Sequence, residues 1–193
     1  MAIKAIIFDC FGVLVKSGHN LLRQDFPELH SLVDELQDKS DLGVLSRHEF
    51  NQIVAEKTGL TSDQVDDRYW GTNKYDFSAI DMADSLKKSG LFKVGLLSNI
   101  SRDWMHEILE YFDDRKIFDE MLLSGDINIV KPDQRIFKLM ADKLGLKPDE
   151  CVMVDDLASN INGARLAGMH GVVFYSTDQA RDDLNKLLEL NNA

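Results

Sequence analysis

Residues 5–14 run Ala5-Ile6-Ile7-Phe8-Asp9-Cys10-Phe11-Gly12-Val13-Leu14. The unbroken apolar segment from Ala5 to Phe8 predicts a strand buried on both faces, as in the parallel sheet of an α/β protein. It ends in Asp9, with Gly12 close behind. A carboxylate there stands at the carboxyl end of a core strand, where open α/β sheets bind their ligands. A lone aspartate in that place serves equally well as a turn cap, so the remainder of the chain has to separate the two roles.

Downstream, residues 16–75 read as mainly helical. Leu21, Leu22, Leu29, Leu32, Val33 and Leu36 recur at near-helical spacing, and Pro27 falls near the start of the second helix. Ser46 with Glu49 forms a capping-box pattern, and Thr61 to Trp70 predicts another short helix closed by Gly71. With no strand expected in this stretch, it reads as a helical bundle inserted between the first and second sheet strands.

From Phe77 onward strands and helices alternate. Strands are expected at Phe92 to Leu97, Glu120 to Leu123, Cys151 to Val154 and Gly171 to Phe174. Helices are expected at Ile80 to Lys88, Arg102 to Phe112, Gln134 to Leu144, Asn160 to Leu166 and Asp178 to Leu190. That alternation implies right-handed crossovers and a three-layer α/β sandwich with a parallel sheet. The expected division is an α/β core from residues 1–15 and 77–193, with 16–76 as the inserted bundle.

The chain has 193 residues, room for one core with a modest insertion, and its hydrophobic content of 44% is ample for that core. With 33 acids against 22 bases and a formal charge of −11, it offers no basic face for nucleic acid. It has no 18-residue apolar run, and its N-terminus lacks a charged segment followed by an apolar one and a cleavage site. A soluble, cytoplasmic protein with no membrane partner is expected. Cys10 and Cys151 lie in or beside apolar strands without CxxC spacing, and read as buried hydrophobes rather than a disulfide or zinc pair.

Three expected strands thus end in reactive side chains: Asp9, Ser98 and the pair Asp155-Asp156. Lys131 stands at the mouth of a helix between two of them. Carboxylates gathered at one sheet edge repel one another unless a cation sits among them. Mg²⁺ suits an all-oxygen ligand set and keeps room for water and phosphate. A serine hydroxyl, backbone N–H groups and one ammonium would then hold phosphoryl oxygens.

Taken in order, Phe8-Asp9-x-x-Gly12-Val13-Leu14, Leu97-Ser98-Asn99, Val130-Lys131-Pro132-Asp133 and Val154-Asp155-Asp156-x-x-x-Asn160-x-x-Gly163-Ala164 resemble the haloacid dehalogenase (HAD) superfamily over essentially the whole chain. The resemblance implies a Rossmann-like core with residues 16–76 as a small helical cap. It implies Asp9 as a nucleophile that forms a covalent aspartyl intermediate. Ser98, with the Asn99 backbone N–H, would bind the transferring group, and Lys131 would steady both nucleophile and phosphoryl oxygens. Mg²⁺ would be held by Asp156, helped by Asp155, together with Asp9 and the backbone carbonyl of Phe11.

The chain departs from that pattern at Phe11, where phosphatases of the superfamily usually carry a second aspartate as general acid and base. A phenyl ring moves no proton, and such help is typically worth about 10²–10⁴-fold. The dehalogenase branch carries an aromatic there and expels halide, which leaves without a proton, but it needs no metal and hence no acidic pair. The expected function is a Mg²⁺-dependent phosphatase of a small phosphorylated metabolite, such as a sugar phosphate, through an aspartyl-phosphate on Asp9. The alternatives are a 2-haloacid dehalogenase using Asp9, and a catalytically weak phosphate-binding regulator.

Other residues carry less. Lys16, Ser17 and His19 read as a solvated hinge, Arg23 as a surface arginine, Trp70 as bundle core and Arg102 as a helix start. Asp133 reads as a helix N-cap, and Asn160 as an N-cap, as the residue that orients a metal ligand, or as both.

Overall fold

The computed structural model describes residues 2–16 and 21–192, the side chains at 107, 113, 114, 191 and 192 excepted. Ser17 and His19 lie outside the described residues. The first strand, β1 (Ala5–Phe8), is fully buried along its length. Its side chains alternate between two cores, Ile6 and Phe8 facing one and Ala5 and Ile7 the other, which is why the run needs no polar residue.

β1 forms the centre of a five-stranded sheet with β4 (Lys93–Ser98), β5 (Glu120–Leu123), β6 (Cys151–Asp155) and β7 (His170–Val173), in the order β5-β4-β1-β6-β7. All of its pairings are parallel. α5 (Phe77–Ser89), α6 (Arg102–Arg115) and α10 (Thr177–Asn192) cover one face through residues such as Ile80, Met105 and Leu184. α8 (Gln134–Lys143) and α9 (Ala158–Leu166) cover the other through Phe137, Met140 and Ile161. The result is the expected Rossmann-like sandwich. The order of strand addition reverses beside β1, with β4 and β5 added on one side and β6 and β7 on the other, so the crevice falls at the carboxyl end of β1.

Between β1 and β4 the chain is mostly helical, but the absence of strands expected there needs correcting. β2 (Val15–Lys16) pairs antiparallel with β3 (Lys74–Tyr75). Two residues are too few to show a periodicity, and their pairing joins chain segments some 60 residues apart, so nothing local announces it. Between these strands lie α1 (Leu21–Asp25), a 3-10 turn Pro27–Leu29, α2 (His30–Asp41), α3 (Arg47–Thr58) and α4 (Ser62–Tyr69). The Ser46 signal closes as a reciprocal capping box, Glu49 N–H donating to Ser46 Oγ at 3.2 Å, and α4 carries a second box in which Gln64 N–H donates to Thr61 Oγ1 at 3.3 Å.

A short helix after β5, α7 (Ser124–Ile127), is the seat on which the end of α2 rests. Ser124 Oγ donates to the Asp41 carbonyl, and Asn128 Nδ2 donates to the Leu42 carbonyl at 2.6 Å. Gly43 makes this possible: a Cβ there would fall 2.4 Å from the Gly125 carbonyl oxygen.

Candidate active site

In register, Phe8 lies between Leu96 of β4 and Val154 of β6. Asp9 and Asp155 come next along β1 and β6, and Ser98 stands two past Leu96 on β4, so all three lie at the carboxyl edge. Asp9 extends the ladder by one step, its N–H donating to the Val154 carbonyl at 2.9 Å. Ser98 and Asp155 end their own strands beside it. Residues almost 150 positions apart meet because their strands are neighbours.

Lys131 enters from the loop before α8. Its Nζ stands 2.9 Å from Asp9 Oδ1 and 2.7 Å from Asp155 Oδ2, and donates to the Leu97 carbonyl at 3.0 Å. All three ammonium protons are thus engaged. Asn99 fixes the backbone behind it, accepting from Lys131 N–H at 2.7 Å and donating to the Lys131 carbonyl at 2.9 Å. The expectation for Asn99 rested on its backbone; its side chain is what positions the lysine loop. Burial by itself would lower the Lys131 ammonium, but the charges of Asp9 and Asp155 outweigh it and the net direction is upward.

Burial pushes the Asp9 carboxyl up to about 7, with Lys131 opposing and the Asp155 charge adding to the rise. Burial followed by the Asp155 charge also raises Asp156. One carboxylate oxygen from each of Asp9, Asp155 and Asp156 lies within 4.8 Å of the others. Three acids at such range with a single ammonium among them are short of positive charge, and an all-oxygen set suits a hard divalent cation. Asp155 is already saturated: Oδ1 accepts from Leu157 N–H at 2.9 Å and Asn160 Nδ2 at 3.0 Å, and Oδ2 from Lys131. It organises the site from behind and leaves Asp9 and Asp156 toward the open side. Gly12 provides the room, since its φ is +84° and a Cβ would fall 2.2 Å from Asp156 Oδ2.

Asn160 proves to lie inside the first turn of α9, not at its cap, which is Leu157. Its amide donates to both carboxylate oxygens of Asp155, at 3.0 and 3.1 Å. Asp133 caps α8 as expected, accepting from Arg135 N–H at 2.9 Å. Arg102 begins α6 and pairs with Asp126, and Arg23 pairs with Asp34. Cys10 and Cys151 are free and buried. Burial raises both thiols, Cys151 to about 12.

These groups open onto a cavity of about 350 Å³. Asp9, Ser98, Lys131 and Asp156 form its floor. The Ser98 hydroxyl, 1% exposed, finds no hydrogen-bond partner among the described residues. Trp70, expected in the bundle core, packs against that core and also lines the cavity, meeting Phe11 edge-on at 5.3 Å between ring centroids. Also on the wall, and missed in the sequence, are Gln37, Ser40 and Asp41 of α2, Tyr69 of α4, and Trp104 of α6. No local signal marks them, because a polar residue on the inner side of a helix end reads like one on its outer side.

A family model described as haloacid dehalogenase-like hydrolase matches residues 3–168. Phosphatase MT3486 of Mycobacterium tuberculosis is 26% identical over 94% of this chain and 92% of its own. (S)-2-haloacid dehalogenase 4A of Burkholderia cepacia is 31% identical over 49% of this chain and 40% of its own. Other relatives are far longer, and the chain spans 19% of one and 22% of another. Among solved structures, a HAD family enzyme of Bacteroides thetaiotaomicron in complex with magnesium and inorganic phosphate superposes with a TM-score of 0.74 at 21% identity, covering 89% of this chain and 94% of that one. Among the described residues, no helix is long and apolar enough to cross a membrane.

Proposed function

The chain belongs to the haloacid dehalogenase-like hydrolase family, and we propose that within it the protein is a Mg²⁺-dependent phosphatase of a small phosphorylated metabolite. The observation that carries this reading is the partnerless Ser98 hydroxyl, buried on a cavity floor shared with Asp9 and Lys131. A buried hydroxyl without a partner is costly unless a ligand supplies one. A phosphoryl oxygen fits that need, with Lys131 close by to balance its charge.

In this reading Asp9 attacks phosphorus in line. The bond from phosphorus to the ester oxygen breaks, and the aspartyl-phosphate is then hydrolysed by water, which returns Asp9 and releases phosphate. Lys131 favours the ionised form of Asp9 and aims it, and Ser98 with the Asn99 N–H holds the transferring group. Asp9, Asp156 and the Phe11 backbone carbonyl would hold Mg²⁺, with Asp155 fixing the arrangement from behind. The ion would supply charge neutralisation among the carboxylates and phosphoryl oxygens.

Residues 16–76 serve as a cap over the core of 1–15 and 77–193, with α2 and α4 contributing Gln37 and Tyr69 to the wall. Apart from Lys131, the described wall residues carry no positive side chain. One phosphate attached to a neutral, hydroxylated body therefore suits the cavity, with Trp70 and Trp104 as apolar surfaces and Gln37 as a hydrogen-bonding group. A sugar phosphate is such a molecule.

Phosphate release from a panel of phosphate esters, with Mg²⁺ and with chelator, tests this. Turnover should need the metal and vanish in Asp9→Asn without loss of the fold. Phe11 and the dehalogenase relative favour the second reading, for which halide release from 2-haloacids without metal is the test. Metal-independent halide release with no phosphatase activity would replace the first reading by the second.

A further inference from the structure

We propose that Asp41, the last residue of α2, is the acid–base residue of this site, protonating the leaving ester oxygen and then taking a proton from the attacking water. This rests on the phosphatase reading above. An alkyl ester departs as an alkoxide unless a proton reaches it, and the ring of Phe11 has none to give.

The titratable groups on the cavity wall are Asp9, Asp41, Tyr69, Lys131 and Asp156. Asp9 is consumed as nucleophile, and Asp156 is committed to the cation. Lys131 has every proton engaged by Asp9, Asp155 and the Leu97 carbonyl. Burial drives the Tyr69 hydroxyl so far upward that it cannot serve as a base. Asp41 remains. Burial pushes its carboxyl up to about 7, with Asp38 and Asp9 adding to the rise and Lys131 opposing. The negative end of the α2 dipole acts in the same direction. A carboxyl balanced near neutrality is available in both forms, as a group that gives a proton and then takes one must be.

Its placement is equally specific. Ser124, fully buried, donates to the Asp41 carbonyl and accepts from Ile100 N–H at 2.8 Å. One hydroxyl thus ties the end of α2 to the loop that follows Ser98. Next to Asp41, the Ser40 hydroxyl is 4% exposed on the same wall and finds no partner among the described residues. Trp104 Nε1 on that wall is likewise buried without a partner. The orphaned polar atoms on the wall that Asp41 shares point to a ligand whose hydroxylated leaving group lies there, its ester oxygen between that wall and the phosphoryl floor.

The chemistry balances. As Asp9 bonds to phosphorus and the ester bond breaks, the Asp41 proton goes to the departing oxygen, giving a neutral alcohol. The Asp41 carboxylate then takes a proton from water as its oxygen bonds to phosphorus and the aspartyl bond breaks. One water is consumed, and Asp9 and Asp41 return to their starting forms.

The test uses the full chain with Mg²⁺, as wild type, Asp41→Asn and Asp41→Glu. The substrates are the alkyl phosphate turned over fastest in the ester panel, and 4-nitrophenyl phosphate, whose leaving group departs without a proton. For Asp41→Asn, kcat/KM on the alkyl ester should fall about 10²–10⁴-fold while that on the aryl ester falls less than about fivefold. Asp41→Glu should retain part of the alkyl activity. Equal losses on both esters, or no loss on either, would overturn the role of Asp41 while leaving a working phosphatase. A wild type inert toward both esters would overturn the phosphatase reading and this role with it.

Discussion

Lys131 and Asp155 form an ion pair closed off from solvent, Nζ to Oδ2 at 2.7 Å with side chains 1% and 0% exposed. A buried pair is held by its geometry, and each remaining lone pair or proton must find a partner. Here they do, through Asn160, Leu157 N–H, Asp9 and the Leu97 carbonyl. The pair is the joint between the loop before α8 and the end of β6, and it sets where Asp9 can point.

Removing the cation should therefore cost folding stability as well as turnover. Lys131→Ala leaves Asp9 and Asp155 facing each other with no ammonium between them, a loss of about 3–5 kcal/mol. Urea denaturation of the metal-free variant checks this. An unchanged midpoint would mean that the pair contributes nothing to the fold.

Gly12 should govern metal affinity. Alanine there must adopt φ near +84° and displace the Asp156 carboxylate, which a Cβ would approach to 2.2 Å. The backbone strain costs about 1–2 kcal/mol, and Mg²⁺ binding measured by titration calorimetry should weaken about 10–100-fold. Unaltered Mg²⁺ affinity would remove Asp156 from the cation site.

Asp41 makes a prediction whose sign differs for stability and for rate. The folded protein keeps its proton up to about 7, whereas the ordinary value is 3.8. Folding therefore takes up a proton between those values, and stability falls as pH rises through that window. Asp41→Asn escapes the loss, and should be more stable than wild type above pH 7 by at most about 4 kcal/mol, with the gain gone below about pH 4. For activity the sign is opposite, wild type being ahead, although the trend with pH is the same. The wild-type advantage over Asp41→Asn in kcat/KM on an alkyl ester should be large below pH 7 and shrink above it, as the acid form is lost. Asp38, Lys131, Asp9 and Tyr69 face this carboxyl and are unchanged in the comparison. A variant less stable than wild type at high pH, or a ratio flat with pH, would contradict the assignment.

Position 11 offers a rescue. Placing aspartate there in the Asp41→Asn background should restore alkyl-ester turnover at least about tenfold. The same change removes the edge-on contact with Trp70, costing about 0.5–1.5 kcal/mol. No recovery in a folded double variant would show that position 11 does not reach the leaving oxygen.

Much of this molecule is written locally. The apolar run of β1, the acids and hydroxyl that end the strands, and the capping boxes at Ser46 and Thr61 each depend on near neighbours. Periodicity and caps express burial and hydrogen bonding within a single element, so the α/β alternation and the four motifs are legible one segment at a time. Convergence is another matter. That Asn160 orients Asp155 instead of capping α9, that Trp70 faces a cavity, and that Val15 pairs with Tyr75 all depend on elements distant in sequence. Asp41 is the clearest case: in the chain it is one acid among 33, at the end of a polar helix. Only the seating of α2 on α7, through Ser124 and the close approach of Gly43 to Gly125, carries it, half-buried, to the cavity wall that Asp9 and Lys131 share. The residue types and their order set the chemistry available, and long-range packing decided which acids line the cavity.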